Sequence, residues 1–229
     1  ALDVADPASI VAALEAGMTR FGAVDVIVNN AGITMVSVFE ATPAAAARQI
    51  FETNVFGTMN VIRAALPHLR AGGGGTIVNV SSGVGFAAVP LLSIYVASKH
   101  AVEGLSESLA YELESQNIRI RLIEPGAMLA TSFVGTGMAA SQAAPVPPEY
   151  KAYFDHALQS MVDYPFPATE EQRVAEAIHT AATDRSGRLR YVVGPDVEEY
   201  ARLRWTTSEE AYLAGMRSLT GQTAWQLKH

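Results

Sequence analysis

The stretch Val26-Ile27-Val28-Asn29-Asn30-Ala31-Gly32 has the pattern of a buried strand that runs into a turn of small residues. The strand is predicted over residues 24–29, and its apolar character on both faces is typical of parallel sheets. Further strands are predicted at 76–80, 118–123 and 190–193, and helical segments at 7–21, 43–69 (bent near Gly57), 93–115 and 169–182. Strands that alternate with helices predict an α/β fold with a doubly wound parallel sheet and right-handed crossovers.

Composition limits the classes of function. Hydrophobic residues make up 49% of the 229 residues, and no linker interrupts the chain, so one domain spanning residues 1–229 is predicted. The net charge of −7 argues against a nucleic-acid partner. The sequence contains no run of 18 uncharged apolar residues, so a membrane span is not expected. The chain has no cysteine, and its five histidines show no ligand spacing, so no metal site is expected. A cytoplasmic location agrees with the lack of cysteine.

Tyr95 and Lys99 lie four residues apart in Ser93-Ile94-Tyr95-Val96-Ala97-Ser98-Lys99, inside a predicted helix. This spacing places both side chains on one helix face. An ammonium group beside a phenol favours the phenolate, and half-ionisation of Tyr95 near neutral pH needs a pKa shift of roughly three units. Ser82, thirteen residues upstream of Tyr95, follows an apolar strand and can hold a substrate oxygen against the phenol. The pattern indicates a proton-transfer site for an alcohol or a carbonyl.

Five segments in a fixed order extend this pattern. Besides Ser82 and the Tyr95/Lys99 pair, they include Asn29-Asn30-Ala31-Gly32, Asn54-Val55-Phe56-Gly57 within a helical stretch, and Pro125-Gly126 at a strand end. Together, over residues 2–126, they closely resemble the short-chain dehydrogenase/reductase family. The resemblance implies a compact, Rossmann-like domain that binds NAD or NADP.

The resemblance assigns catalytic roles to four residues. It makes Tyr95 the general acid in reduction and the general base in oxidation, while Lys99 lowers the pKa of Tyr95 and holds the nicotinamide ribose. It makes Ser82, rather than the neighbouring Ser81, the residue that positions the substrate oxygen. Asn54 would hold a water that links Lys99 to solvent. The alternatives are a strand-end cap for Ser82 and an ordinary polar contact for Asn54.

The same resemblance implies a set of cofactor contacts from three segments besides Tyr95 and Lys99. Small residues allow close backbone approach beneath the adenosine ribose, an Asp-Val pair would read adenine, and a Pro-Gly turn would lie beside the nicotinamide. Asp3 could equally be a surface turn residue, and Asn29 is expected to stabilise the strands instead. Thr131 stands one position beyond the usual threonine, which leaves its role open. The predicted cofactor contacts are Asp3, Val4, Asn30, Ala31, Gly32, Pro125, Gly126 and Met128.

The beginning of the chain differs from the family pattern. A dinucleotide fold is expected to open with a strand, a glycine-rich turn and a helix that receives the pyrophosphate. Neither this turn nor the following strand is present, so the first two βα units are expected to be missing from the sequence. The alternative is that a neighbouring chain or a rearranged terminus covers the 24–29 strand. Because the end of the second strand discriminates NAD from NADP, the preference cannot be read.

The leading interpretation is an NAD(P)-dependent oxidoreductase that interconverts an alcohol and a carbonyl on a small molecule. Residues 131–168 resemble an irregular substrate lid, and residues 197–229 are expected to pack as helices in a C-terminal tail. Family relatives imply a homo-oligomer, either a dimer or a tetramer. A catalytically inactive binding or regulatory protein of the same fold is the alternative, and a sugar-nucleotide epimerase of the superfamily is a weaker one.

Overall fold

The computed structural model describes residues 2–141 and 144–228, and these residues form a parallel four-stranded sheet with helices on both faces. The strand order follows the chain, and each strand is parallel to its neighbour, with Val26 opposite Thr76, Gly75 opposite Ile118, and Leu122 opposite Arg190. The predicted α/β fold with a parallel sheet is therefore confirmed. The strands are β1 (Val26–Asn29), β2 (Gly75–Val80), β3 (Ile118–Pro125) and β4 (Arg190–Val193).

The helices before the third strand lie close to their predicted bounds. The first of them begins as expected, because the Asp6 carboxylate accepts the Ala8 N–H at 2.9 Å and Pro7 occupies the first turn. The predicted 43–69 segment is two helices separated by a wider π-helical segment, Glu52–Gly57, which lies where the bend near Gly57 was predicted. These helices are α1 (Pro7–Phe21), α2 (Ala44–Phe51), α3 (Thr58–Ala71) and α4 (Ser93–Glu114).

Two apolar layers hold the helices on the sheet. On one face, α3 and α4 pack against β2 and β3, a cluster formed by Ile62, Ala65, Leu69, Ile77, Leu113, Ile118 and Ile120. On the other, the helix α7 (Glu171–Thr183) packs against β2, β3 and β4 through Val78, Ile123, Val174, Ala181, Tyr191 and Val193. Alternate residues of the central strands thus point into different layers, so β2 and β3 each contribute apolar side chains to both faces of the sheet.

The segment predicted as an irregular lid contains two helices, which corrects that part of the expectation. Pro145, Pro147 and Pro148 interrupt the segment only between the helices, and a 3₁₀ turn at Pro148–Tyr150 leads into the second one. Residues 142 and 143 of the predicted lid lie outside the described residues. The two helices are α5 (Ser132–Ser141) and α6 (Lys151–Val162).

The C-terminal tail is helical, as expected. Its helices are α8 (Pro195–Thr206), α9 (Glu209–Leu219) and α10 (Gln222–Gln226). A cluster that includes Val197, Tyr200 and Tyr212 packs this tail on Phe86, in the segment that leads into α4. None of the helices in the described ranges is long and apolar enough to cross a bilayer.

The strand β1 pairs only with β2 among the described residues. Its Val26 and Val28 side chains are 39% and 43% exposed. A cavity of about 320 Å³ runs along this strand, and the loop after β1 lines part of it. This edge carries several of the predicted cofactor contacts.

Candidate active site

Four elements bring the predicted catalytic residues together. Ser82 follows β2, Tyr95 and Lys99 lie in the first two turns of α4, and Asn54 lies in the π-helical segment. All four belong to the carboxyl-terminal side of the parallel strands, where ligands bind in open α/β sheets. The spacing-based prediction that Tyr95 and Lys99 share one face is met, because both side chains are buried beside Ser82 and Asn54.

Ser82 makes two contacts within the site. Its side-chain oxygen accepts the Val84 N–H at 3.3 Å, so it caps the 3₁₀ turn Gly83–Gly85. Its side chain also shares a hydrogen bond with Tyr95. The cap fixes the position of the hydroxyl group and leaves it able to contact the phenol.

Lys99 is held close to the end of β2. Its Nζ atom donates a hydrogen bond to the Val80 carbonyl oxygen at 2.8 Å and lies 5.7 Å from the centroid of the Tyr95 ring. Burial lowers the pKa of Lys99 to about 8, and the negative charge of Glu103 opposes this fall. The Lys99 side chain is therefore close to the phenol, and it loses its proton nearer to neutral pH than an ordinary lysine does.

The electrostatics of Tyr95 differ from the expectation. Burial raises the pKa of Tyr95 well above its ordinary value, and the hydrogen bond with Ser82 only partly opposes the rise. The sequence predicted that Lys99 would lower this pKa. The physical reason for the difference is that the loss of water around the phenol outweighs other effects, while Lys99 donates to Val80 rather than to the phenol oxygen.

Asn54 joins three segments of the site through its side-chain amide. Its Oδ1 accepts the Ile33 N–H at 2.8 Å, and its Nδ2 donates to the Ile33 carbonyl and to Ser98 Oγ, each at 3.0 Å. Ser98 Oγ in turn donates to the Tyr95 carbonyl at 2.7 Å. The amide therefore fixes the turn after β1 relative to α4. The water-holding role of Asn54 stays a prediction.

The segment after β1 contains small residues where the chain passes closest to this centre. A Cβ added at Gly32 would lie 3.5 Å from Asn54 Oδ1 and 3.7 Å from Lys99 Nζ. Asn30 and Ala31 are exposed and line the cavity along β1, together with Val4. Asp3 instead accepts the Ala5 N–H at 2.9 Å, which agrees with the alternative that Asp3 is a surface turn residue.

Asn29 has the structural role that was expected of it. Its Nδ2 donates to Asn79 Oδ1 at 2.8 Å, across the β1–β2 pair. Asn79 Nδ2 donates to Ser106 Oγ at 2.9 Å and so ties the strands to α4.

The turn after β3 is fixed by a buried carboxylate that sequence reasoning missed. Asp196, in the first turn of α8, accepts the Ala127 N–H at 3.0 Å, and Gly126 donates its own N–H to the Val193 carbonyl at 2.9 Å. A Cβ at Gly126 would lie 2.0 Å from Asp196 Oδ1. Pro125 is buried at the end of β3, and Met128 accepts a hydrogen bond from Thr131 Oγ1 at 3.3 Å through its carbonyl. Glycine at 126 is thus required by a close contact.

We expect Gly126→Ala to lower the melting temperature, because the added methyl group must displace the Asp196 carboxylate from the Ala127 amide. A loss of about 1–3 kcal/mol in the free energy of unfolding corresponds to one unmade buried hydrogen bond. Thermal denaturation followed by circular dichroism measures it. Gly104→Ala is the matched control: it lies in α4 with nothing near its added Cβ, and we expect it to stabilise by about 0.5–1 kcal/mol. Equal effects of the two substitutions would contradict the prediction.

Beneath Lys99 lies a buried charge network that the sequence did not indicate. Arg190, at the start of β4, pairs with Glu103 on α4 and with Glu124 on β3, and its other terminal nitrogen pairs with Glu107 at 2.5 Å. Glu103 and Glu124 have side chains that are 7% and 0% exposed. Burial, with the negative charge of Glu103 next in importance, raises the pKa of Glu124 to about 8.

The raised pKa of Glu124 predicts a pH dependence of stability. A group whose folded-state pKa lies above its unfolded value stabilises the fold below the unfolded pKa, and this contribution is lost as pH rises through the folded pKa. For Glu124 the window runs from about 4.5 to about 8. We expect Glu124→Gln to flatten the fall in unfolding free energy across that window, as measured by urea denaturation at several pH values. Parallel curves for the wild type and the variant would contradict the assignment.

The helix α5 covers Tyr95. The Phe133 and Tyr95 ring centroids are 5.5 Å apart. The far end of α5 is attached to the segment after β1, because Val36 donates its N–H to Ser141 Oγ at 3.0 Å. The wall beside the phenol is therefore aromatic.

Comparisons with known proteins agree with this fold and site. The family model of the short chain dehydrogenases matches residues 1–141. An uncharacterised oxidoreductase of Schizosaccharomyces pombe is 37% identical over 224 residues, which are 96% of this chain and 91% of that protein. The solved structure of a short-chain dehydrogenase from Streptomyces avermitilis superposes with a TM-score of 0.76 at 33% identity, covering 99% of this chain and 78% of that one. The 3-ketoacyl-(acyl-carrier-protein) reductase of Brucella melitensis, solved in complex with NADH, superposes with a TM-score of 0.69 at 26% identity, covering 85% and 75%.

The fold and the site define an α/β oxidoreductase of the Rossmann-like, NAD(P)-dependent class. The chain belongs to the short-chain dehydrogenase family, as its motifs predicted. Within the described ranges, no group of three or more histidine, aspartate and glutamate side chains could hold a metal ion.

Proposed function

We propose that this protein interconverts an alcohol and a carbonyl group on a small molecule by hydride transfer, with Tyr95 as the general acid/base. The observation that supports this most directly is the buried phenol, which shares a hydrogen bond with Ser82 and has the Lys99 ammonium 5.7 Å from its ring centroid. A proton donor, an oxygen-binding hydroxyl and a cation thus lie on one wall of the site.

The residues of the predicted cofactor segments fit NAD or NADP. Exposed Asn30 and Ala31 leave the backbone after β1 open, and Gly32 keeps side-chain atoms away from Lys99 and Asn54. Val4 and this segment would hold the adenosine half, Lys99 would hold the nicotinamide ribose, and Gly126 to Met128 would contact the carboxamide. When bound, the cofactor supplies or accepts the hydride at the carbonyl carbon. The NADH in the structure of the related Brucella reductase supports this cofactor class.

The side chains of the chain itself move and direct the proton. In reduction, the Tyr95 hydroxyl donates its proton to the carbonyl oxygen, while Ser82 positions that oxygen by hydrogen bonding. The raised pKa keeps Tyr95 protonated at neutral pH, which suits the direction of reduction. Lys99 stabilises the phenolate that remains until a proton returns from solvent. In oxidation the same phenolate removes the proton from the alcohol.

Phe133 and the helices of residues 131–168 form, in this proposal, the apolar cover of the substrate. This cover would exclude water from the reacting carbon, so that the proton of Tyr95 is transferred to the substrate. We further propose that residues 1–229 act as one domain, in the cytoplasm, as a dimer or a tetramer. Sedimentation analysis of the purified chain measures the oligomeric state.

The test of the function is a titration of the purified protein with NADH and with NADPH, followed by fluorescence, and a screen of ketones with whichever binds. Binding of either nucleotide with ketone-dependent oxidation is the expected result, and it names the preferred cofactor. Binding without turnover of any ketone or alcohol would favour the inactive binding or regulatory protein. Absence of binding to both would overturn the proposal.

A further inference from the structure

A row of buried polar groups extends along α4 beyond the catalytic pair. Glu103 follows Lys99 by one turn, as Lys99 follows Tyr95, and the three residues are 5%, 5% and 7% exposed. The proposed mechanism uses only Tyr95 and Lys99. A buried carboxylate is costly unless it is paired, so Glu103 needs a reason to be there.

Arg190 holds one oxygen of Glu103. Its Nη1 nitrogen pairs with Glu103 Oε2 and with Glu124 Oε1, and its Nη2 nitrogen pairs with the half-exposed Glu107. One guanidinium thus serves two buried carboxylates. Burial and the negative charge of Glu103 raise the pKa of Glu124 to about 8, so Glu124 takes up a proton more readily than an ordinary carboxyl group.

The other oxygen of Glu103 faces the loop that carries Ser82. A Cβ at Gly85 would lie 2.9 Å from Glu103 Oε1 and 2.6 Å from Ser81 Oγ. Neither atom has a hydrogen-bond partner in the part of the chain that the structure describes. The carboxylate therefore lies directly beneath the serine loop and one helical turn from Lys99.

We propose that Glu103 is a positioning residue for the reaction, which keeps the buried Lys99 ammonium charged beside Tyr95 and is itself held by Arg190. This inference deepens the proposed function and rests on it for the role of Lys99. Glu103 touches neither reactant in this assignment. It acts only through the lysine.

The charges around Lys99 agree with this assignment. Burial lowers the pKa of Lys99 to about 8, and Glu103 is the group that raises it again. Tyr95 faces Lys99 from the same helix, whereas the Val80 carbonyl, Asn54 and Gly32, which face it from other segments, carry no charge. Around Glu103, the charged or titratable groups are Lys99 and Glu107 on α4, Glu124 on β3 and Arg190 on β4. Removal of Glu103 would leave a buried lysine without a nearby anion.

The chain offers a direct measurement, because it contains only three lysines: Lys99, Lys151 and Lys228. Labelling lysine with ¹³C at Cε gives three signals in an NMR spectrum, and the Lys99→Met variant identifies the signal of Lys99. A pH titration of that signal then gives the pKa of Lys99 without any turnover. We expect Glu103→Gln to lower this pKa by roughly one unit or more. With a pKa of about 8, Lys99 is roughly nine-tenths charged at pH 7. A fall of one pKa unit should therefore lower the charged fraction, and with it the rate of carbonyl reduction at that pH, about twofold, and each further unit should lower both by up to about tenfold.

Glu107→Gln is the matched control, because Glu107 lies on the same helix and also pairs with Arg190 but has a side chain that is 54% exposed. Its Lys99 signal should titrate as in the wild type. An unchanged Lys99 pKa in folded Glu103→Gln, or an equal shift in both variants, would overturn the proposal. If the single variant does not fold, the double variant Glu103→Gln/Arg190→Gln removes one charge of each sign, and Lys99 should still titrate at lower pH than in Arg190→Gln alone. A wild type that titrates as described but reduces no ketone would overturn the proposed function, while the effect of Glu103 on the charge of Lys99 would stand.

Discussion

Replacing Tyr95 with phenylalanine is expected to lower kcat for carbonyl reduction by about 10²- to 10⁴-fold, the usual contribution of a positioned general acid. The substitution removes only the hydroxyl group, so the contacts of the ring with Phe133 and with Lys99 remain. Because that hydroxyl group is the only part of Tyr95 that can give up a proton, proton transfer must come from water. Steady-state kinetics with a ketone found in the screen, together with NADH titration, separates loss of chemistry from loss of binding.

Tyr111→Phe is the control for that substitution. It lies on the same helix but is 81% exposed, and it has no part in the proposed mechanism. We expect Tyr111→Phe to keep the kcat of the wild type, and both variants to bind the nucleotide as before. Turnover by Tyr95→Phe at a rate close to that of the wild type would remove Tyr95 from the mechanism.

Arg190→Met is expected to cost about 3–5 kcal/mol of unfolding free energy at neutral pH, the usual result of removing one partner of a buried ion pair. Methionine fills part of the volume but leaves the buried Glu103 and Glu124 side chains without the guanidinium that pairs with both of them. Urea denaturation followed by circular dichroism measures the loss. The loss should shrink in acid, because protonated carboxyl groups no longer need the guanidinium.

The comparison for Arg190 is Arg202, whose pairing with Glu199 lies on the surface. The Arg202 side chain is 55% exposed, whereas that of Arg190 is 23% exposed. Exposed pairs contribute about 0–1 kcal/mol, so Arg202→Met should change stability by no more than that. A similar small effect for Arg190→Met would mean that the buried network does not hold the fold together.

Much of the fold could be predicted because its signals are local. A run of β-branched residues marks β2, and the capping pattern at Asp6 marks the start of α1. The spacing of Tyr95 and Lys99 on one helix needed no knowledge of the rest of the chain. The two helices of the 131–168 segment were missed because its glycines and prolines disfavour helix, and packing over the site overrides that preference.

The parts of the site that were missed depend on contacts between distant residues. Arg190 and Glu103 are 87 positions apart, and Asp196 reaches Ala127 across 69. No local pattern around Glu103 distinguishes a buried carboxylate from one on a solvated helix face. Ser98 could have been found, because it stands beside Lys99 and three residues after Tyr95, on the face already known to be buried. The predicted direction of the Tyr95 pKa shift was wrong, because the spacing of two residues does not reveal how deeply they are buried.

The position of Arg190 on the last strand has a consequence for the order of assembly during synthesis. The ribosome adds about 5–20 residues per second, so Glu103 emerges roughly 4 to 17 s before its cation. Until β4 docks beside β3, Glu103 and Glu124 have no guanidinium to compensate them, and closing α4 over the sheet is opposed. We therefore expect the packing of α4 against the sheet to be completed only after β4 has been translated. A polypeptide that stops before Arg190 would remain open at this point and be a substrate for proteases.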